Sequence, residues 1–353
     1  MPGFGEETRA GPAVTVVVPA YNAESFILRT LESALGQTYA NLEVVVVDDG
    51  STDDTRALCE GLMRPHPGLR ILGGPNRGVA GARNAGTQAA CSPLVAYLDA
   101  DDLWHPTKIE RQVAAFLRHG LSSEWVANYT LHRMIDAEDR VLGDGAPVSA
   151  SGDFFVEHLQ ENHVNNGSSI LIRRDVALAV GGFDPTYAAR GIGGCEDYDF
   201  QLKVLQAGKM ELIPEYLVGY RTYPGNMSSN HLAMGLGLLA VIEKFAASPR
   251  VTPAEREDAI LRAHGNAVLR FVKARDGRRI AQSMKVMLAT EPRRTAAFLA
   301  DVATRTGSHL IDRRRPIRPQ PFHELQPDEP FGARPQAAAA LPVSPPTRAT
   351  GNS

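Results

Sequence analysis

Apolar positions along the chain fall into short unbroken runs, and between the runs they recur at helical spacing. The first run, Val14-Thr15-Val16-Val17-Val18, stops at Pro19, which cannot donate to a β-ladder. Ile27, Leu31, Ala34 and Leu35 then mark one face of a helix between about Glu24 and Leu35, with Gly36 as its stop signal. The alternation repeats. Leu42 to Val47 is β-branched and ends in Asp48-Asp49-Gly50-Ser51-Thr52-Asp53-Asp54, where Gly50 permits a tight turn and Ser51, Thr52 or Asp53 can cap a helix toward Met63. Leu69 to Leu72 is a third run, followed by a glycine-rich stretch from Gly73 to Gly86 that carries Arg77 and Arg83. The fourth, Leu94 to Leu98, breaks off in Asp99-Ala100-Asp101-Asp102, and Ile109, Val113, Phe116 and Leu117 then outline an amphipathic helix to Gly120. Strands buried on both faces alternating with helices predict a doubly wound, mostly parallel α/β half over residues 13–120, of the kind that binds nucleotides.

Beyond Gly120 the pattern weakens. Strands are expected near Trp125 to His132, at Gly167 to Ile172 and at Tyr216 to Arg221, so the sheet becomes mixed in a second half over 121–228. A short helix is expected from Arg173 to Gly181-Gly182, and a glycine loop at Gly191 to Gly194 delivers Glu196-Asp197-Tyr198-Asp199 to a helix N-terminus. Residues 229–312 read as a helical appendage, with Ile280, Met284, Met287 and Leu288 on one face. Residues 1–12 read as a flexible N-terminus, and 313–353, rich in Pro, Arg and Ala, as a disordered tail.

Composition narrows the class. With 353 residues and 43% hydrophobic content the chain can build a sizeable core, and a formal charge of −3 gives nucleic-acid binding no electrostatic support. Three widely spaced cysteines indicate neither a disulfide framework nor a zinc site, which fits a reducing, cytoplasmic location. The longest later apolar stretch, Leu232 to Ile242, is too short to span a bilayer, leaving at most peripheral association at the inner face of a membrane.

The acidic strand ends carry the candidate chemistry. Asp99 and Asp101 at alternate positions repel each other unless a divalent ion or donors such as ribose hydroxyls offset the charge. Mg²⁺ or Mn²⁺ held by one or two carboxylates completes its shell with water and substrate phosphates, which points to a nucleotide diphosphate. Asp48-Asp49 suits a ligand with N–H or hydroxyl donors. Helix capping by Asp53, Asp101, Asp102 or the 196–199 group is the plainer alternative at each place.

Taken together, Val18-Pro19-Ala20-Tyr21-Asn22, Val47-Asp48-Asp49-Gly50-Ser51, Asn76-Arg77-Gly78 through Arg83-Asn84-Ala85-Gly86, Leu98-Asp99-Ala100-Asp101-Asp102, Gly181-Gly182-Phe183-Asp184 and Glu196-Asp197-Tyr198-Asp199 resemble, in order, the motifs of family-two inverting glycosyltransferases of GT-A fold. The resemblance covers about Val14 to Ser228. It implies a nucleotide-sugar donor, usually of UDP, and a saccharide or lipid-linked acceptor, as in polysaccharide or glycoconjugate synthesis. By the same resemblance Pro19, Ala20, Tyr21, Asn22, Asp48 and Asp49 hold the base with Arg83 nearby, and Asp99 meets the ribose. Asp101 would bind Mg²⁺ or Mn²⁺ at the diphosphate, and Asp197 would be the general base. One departure stands out: Tyr220-Arg221-Thr222-Tyr223 lacks the histidine that many members carry in Tyr-Arg-x-His. Tyr223 could replace it as a hydroxyl donor, His231 could take its part, or the cation could rest on Asp101 and phosphates alone.

Two other functions compete. A nucleotidyltransferase would need a glycine- and basic-rich loop after the first strand, where Pro19-Ala20-Tyr21-Asn22 stands. A non-catalytic nucleotide-sugar binder would have no use for an acceptor-side base at Asp197.

Overall fold

The computed structural model describes residues 11–145, 150–309 and 320–331. The chain runs β1 (Val14–Ala20), α1 (Ile27–Leu35), β2 (Leu42–Asp48), α2 (Thr55–Met63), β3 (Leu69–Gly73), α3 (Gly78–Ala89), β4 (Leu94–Tyr97), β5 (Leu103–Trp104) and α4 (Lys108–Arg118). It continues through β6 (Trp125–Ile135), β7 (Val141–Asp144), α5 (Phe155–Gln160), β8 (Ile170–Arg173), α6 (Arg174–Ala179), α7 (Thr186–Ala189), α8 (Glu196–Ala207) and β9 (Lys209–Arg221). Four helices follow: α9 (His231–Phe245), α10 (Pro253–Lys273), α11 (Gly277–Thr290) and α12 (Pro292–His309). The strands form one sheet in the order β3-β2-β1-β4-β8-β6-β9-β5, with β7 paired to β6. Pairing is parallel from β3 to β4, antiparallel on both edges of β8, and parallel again between β6 and β9.

The unbroken apolar runs have a simple cause. Val16, Val18, Val44, Val46, Ala96 and Leu98 face one core with α1 and α4, whereas Val17, Val45, Val47, Val95 and Tyr97 face another. Alternate residues point to opposite faces, so a strand covered on both must be apolar throughout. The second core reaches Phe200 and Val204 on α8, Val241 and Phe245 on α9, and Ala259 and Ala263 on α10.

Most of the glycine-rich stretch is helix α3, and Gly86 serves packing: a Cβ there would lie 2.3 Å from Val17 Cγ1. The structure departs from the sequence expectations in two places. Strand β9 begins seven residues before Tyr216, with its register against β6 shifting around Pro214, which has no N–H for the ladder. Residues 320–331 fall within the expected tail yet are seated on the sheet edge; the rest of 313–353 lies outside the described residues. Phe322 is buried against Leu103, Ile135 and Val141, with Leu325 and Phe331 beside it, and Val141 N–H donates to Gln320 O. Three spaced apolar anchors suffice there, although the composition averaged over the whole stretch conceals them.

Candidate active site

The carboxyl ends of β1, β2 and β4, the start of α8 and the helices α9 and α10 together wall a cavity of about 1110 Å³. Parallel strands ending at one edge leave a crevice there. Pro19, Ala20, Tyr21 and Asn22 line it, as do Asp49, Arg83, Asp99, Asp101 and Asp197. Asn22 adopts a positive φ of 49°, and its Oδ1 accepts from Thr52 N–H at 2.8 Å, which fastens the loop after β1 to the turn after β2.

Asp48 and Asp49 part company. Asp49 reaches the cavity and accepts from Arg77 N–H at 2.8 Å, with burial holding its carboxyl above the usual range. Asp48 points into its own turn, accepting from Ser51 N–H at 3.1 Å with Arg56 at 3.6 Å, and lines no part of the cavity. Side chains of neighbouring residues along a strand leave on opposite faces, and here Asp49 is the one of the pair that faces the cavity.

Arg83 rises from α3, buried, to pair with Asp99 over the Phe183 ring. Burial works against its charge, but Asp99 and Asp197 raise its pKa above the ordinary value. Asp101 accepts from the Tyr223 hydroxyl at 2.9 Å, and its backbone carbonyl from Arg221 Nε at 2.5 Å. Burial first and Asp99 second push its carboxyl up to about 6. Buried Asp102 turns away to Ser168 Oγ at 2.6 Å and Arg221 N–H at 2.9 Å, tying β4, β8 and β9 together behind the site. Of the two candidates for the missing histidine, Tyr223 therefore meets Asp101, whereas His231 lies 3.5 Å from Arg270.

Asp197 stands in the first turn of α8 and accepts from Tyr198 N–H at 2.8 Å. Burial raises its carboxyl to about 6, with Arg83 opposing and Glu196 adding to the shift. Glu196 instead closes the glycine loop, accepting from Gly194 N–H at 2.6 Å. Asp199, buried, is held by Lys203 at 2.8 Å and Lys244 at 2.5 Å.

The donor set suits a shared cation rather than a closed cage. Among the described residues no three His, Cys, Asp or Glu side chains converge as metal ligands. Asp99 is engaged by Arg83, which would leave the carboxyl of Asp101 to hold a hard ion whose other ligands would be substrate phosphate and water. Sequence reasoning missed Ser168 and Arg221, which hold the acidic loop, and Arg270 and Lys273 on α10, whose place on the cavity wall only the packing of α10 reveals.

Residues 15–177 match the model of glycosyl transferase family 2. An uncharacterized glycosyltransferase of Nostoc sp. is 31% identical over 229 residues, spanning 62% of this chain and 67% of that one. Other curated relatives are matched over as little as 14% of their own length. Among solved structures, S. aureus TarS 1–349 in complex with UDP-GlcNAc superposes with a TM-score of 0.59 at 18% identity, over 81% of this chain and 83% of that one. The mannosyltransferase PcManGT from Pyrobaculum calidifontis, in complex with GDP-Man and Mn²⁺, gives 0.54 at 20% identity over 84% and 81%. These likenesses give the fold as GT-A. No helix among the described residues is long and apolar enough to cross a membrane.

Proposed function

The chain belongs to glycosyl transferase family 2, and on that premise we propose that it moves a sugar, with inversion, from a UDP-sugar to a hydroxyl of a saccharide or lipid-linked acceptor. The observation that carries this reading is the convergence of Asp49, Asp99, Asp101 and Asp197 on one cavity. In it, Asp49 and the loop from Pro19 to Asn22 hold the base, Asp99, braced by Arg83, meets the ribose, and Asp101 would hold Mg²⁺ or Mn²⁺. Bound there, the cation would neutralise charge on the departing diphosphate. Tyr223 and Arg221 keep Asp101 in place. Asp197 takes the acceptor's hydroxyl proton while the oxygen attacks the anomeric carbon, and the bond to the diphosphate oxygen breaks with its electron pair. With its pKa near 6, Asp197 is ionised at neutral pH yet more basic than an ordinary carboxylate.

Asp197→Asn tests the assignment. Turnover of UDP-sugars with Mn²⁺ should fall by about two to four powers of ten while UDP affinity hardly moves. In the parent protein kcat/KM should fall off below about pH 6, where Asp197 becomes protonated. Glu196→Gln, which keeps an acceptor for Gly194 N–H, should cost less. Near-normal turnover in Asp197→Asn, or a defect confined to nucleotide affinity, would remove Asp197 from the mechanism.

A further inference from the structure

The acidic strand ends occupy one end of the cavity. The other is walled by α9 and α10, and along α10 the lining residues Ala263, Asn266, Leu269, Arg270 and Lys273 fall at helical spacing, so a single helical face looks into the space. Two of those five are cations. Half-buried Arg270 donates from Nη1 to Ser228 O at 3.3 Å and lies 3.5 Å from His231 Nδ1, which leaves Nε and Nη2 for another partner. Among the described residues neither Arg270 nor Lys273 has a carboxylate within salt-bridge distance; Arg275, Arg278 and Lys285 also lack one but lie outside the cavity, and several other cations nearby are paired. Arg262 pairs with Asp258 at 2.8 Å, and Arg279 with Asp276 at 2.6 Å.

The location adjoins the start of α8, because Cys195 Sγ contacts Met234 O of α9 at 3.7 Å and α9 packs along α10. The charge of Arg270 acts on the Cys195 thiol, two residues before Asp197. His231 registers the same field: burial, then Lys273 and Arg270, hold its imidazole below the ordinary range. Apolar surface adjoins the pair, with Met227 53% and Leu269 40% exposed. Two unopposed cations at the mouth of a cavity attract an anion, and an arginine fork matches a carboxylate or a phosphate.

We propose that Arg270 and Lys273 form an anion subsite for the acceptor, so that the molecule receiving the sugar carries a phosphate or carboxylate group beside its reactive hydroxyl. This rests on the glycosyl-transfer reading of the cavity. It also adds a demand that reading does not make, since a neutral saccharide would leave both cations unmatched.

The test is a calorimetric titration of glucose 6-phosphate, glucuronate and glucose into the full chain, with and without saturating UDP and Mn²⁺. At least one charged sugar should bind about tenfold or more tightly than glucose, and the tighter one tells phosphate from carboxylate. In the double variant Arg270→Gln, Lys273→Gln that preference should vanish while UDP affinity stays within about threefold. Arg278→Gln, exposed on α11 outside the cavity, should keep the preference. The proposal is overturned if neither charged sugar outbinds glucose, or if Arg278→Gln loses as much as the double variant, which would indicate diffuse charge. It is equally overturned if the double variant loses UDP affinity about tenfold, which would give the pair to the donor's diphosphate. Absence of UDP binding in the parent protein would instead sink the transferase reading, and the titrations without UDP would still decide the anion preference.

Discussion

Asp101 is costly to ionise in the protein alone, and on the proposed function that charge serves the bound cation. Its carboxyl rises from a usual value of 3.8 to about 6 on folding, because burial and Asp99 disfavour the charge more than Tyr223 and Arg221 favour it. Between those two values the folded state binds the proton more readily than the unfolded chain. The stability this confers is complete below 3.8 and is lost as pH rises through 6. Asp101→Asn keeps an acceptor for Tyr223 and removes the charge, so without divalent cation the variant should melt higher than the parent at pH 8. A shift of about two units bounds the gain at roughly 3 kcal/mol, and the gap should close as pH approaches 4. Adding UDP and Mn²⁺ should reverse the order, because the parent alone would gain the cation-dependent part of the binding. Melting curves from pH 4 to 8 decide it, and a variant that melts lower than the parent at pH 8 without cation would refute the account. The sequence made Asp99, Asp101 and Asp197 visible as carboxylates stranded at element ends. It could not separate Asp49 from Asp48, because their division depends on which way each leaves the strand and on where Arg56 and Arg77 stand.

Among the elements, the segment 320–331 has the most remote connection to the site. Phe322 N–H donates to Asp139 O at 3.0 Å, and Asp139 Oδ1 in turn pairs with Arg29 at 2.8 Å and Arg221 at 2.6 Å. Arg221 then holds the Asp101 carbonyl. Tyr216 N–H donates to Pro327 O at 2.7 Å, and Phe331 N–H to Asp144 Oδ2 at 2.9 Å, so the segment covers the β6–β7 hairpin and β9 together. Room for the Phe322 ring comes from Gly219, where a Cβ would lie 3.2 Å from it. Phe322→Ala empties a buried aromatic site and should cost about 3–5 kcal/mol, with weaker Mn²⁺-dependent UDP binding as the hairpin loosens its hold on Arg221. Phe322→Leu should recover part of both. Denaturant melts and UDP titrations with Mn²⁺ measure the two effects, and a Phe322→Ala protein unchanged in both would mean the segment is not seated. Low apolar density hid it from a composition argument, since its anchors act through the sheet edge they meet rather than through one another.

At the scale of the whole molecule, the second core runs without a break from Val17 and Tyr97 through Phe200 to Phe245, Ala259 and Ala263. The helices α9 and α10 therefore share their core with the sheet, and we expect them to unfold with it. Calorimetry should give one transition with matching calorimetric and van't Hoff enthalpies up to α10, and a chain ending at residue 228 should fail to fold. Two separated transitions would make the helices an independent unit. The sequence by itself determined the parallel half and the acidic strand ends, because apolar periodicity and turn chemistry are local and act within a few residues of one another. It also sufficed for the family, since the ordered motifs lie along the chain. Only the tertiary structure decided that α10 closes the cavity with Arg270 and Lys273, that Tyr223 rather than His231 meets Asp101, and that residues 320–331 brace the hairpin. Each of these joins residues tens to hundreds of positions apart, and a pairing of that kind is set by which surfaces remain to be covered once the local elements have formed.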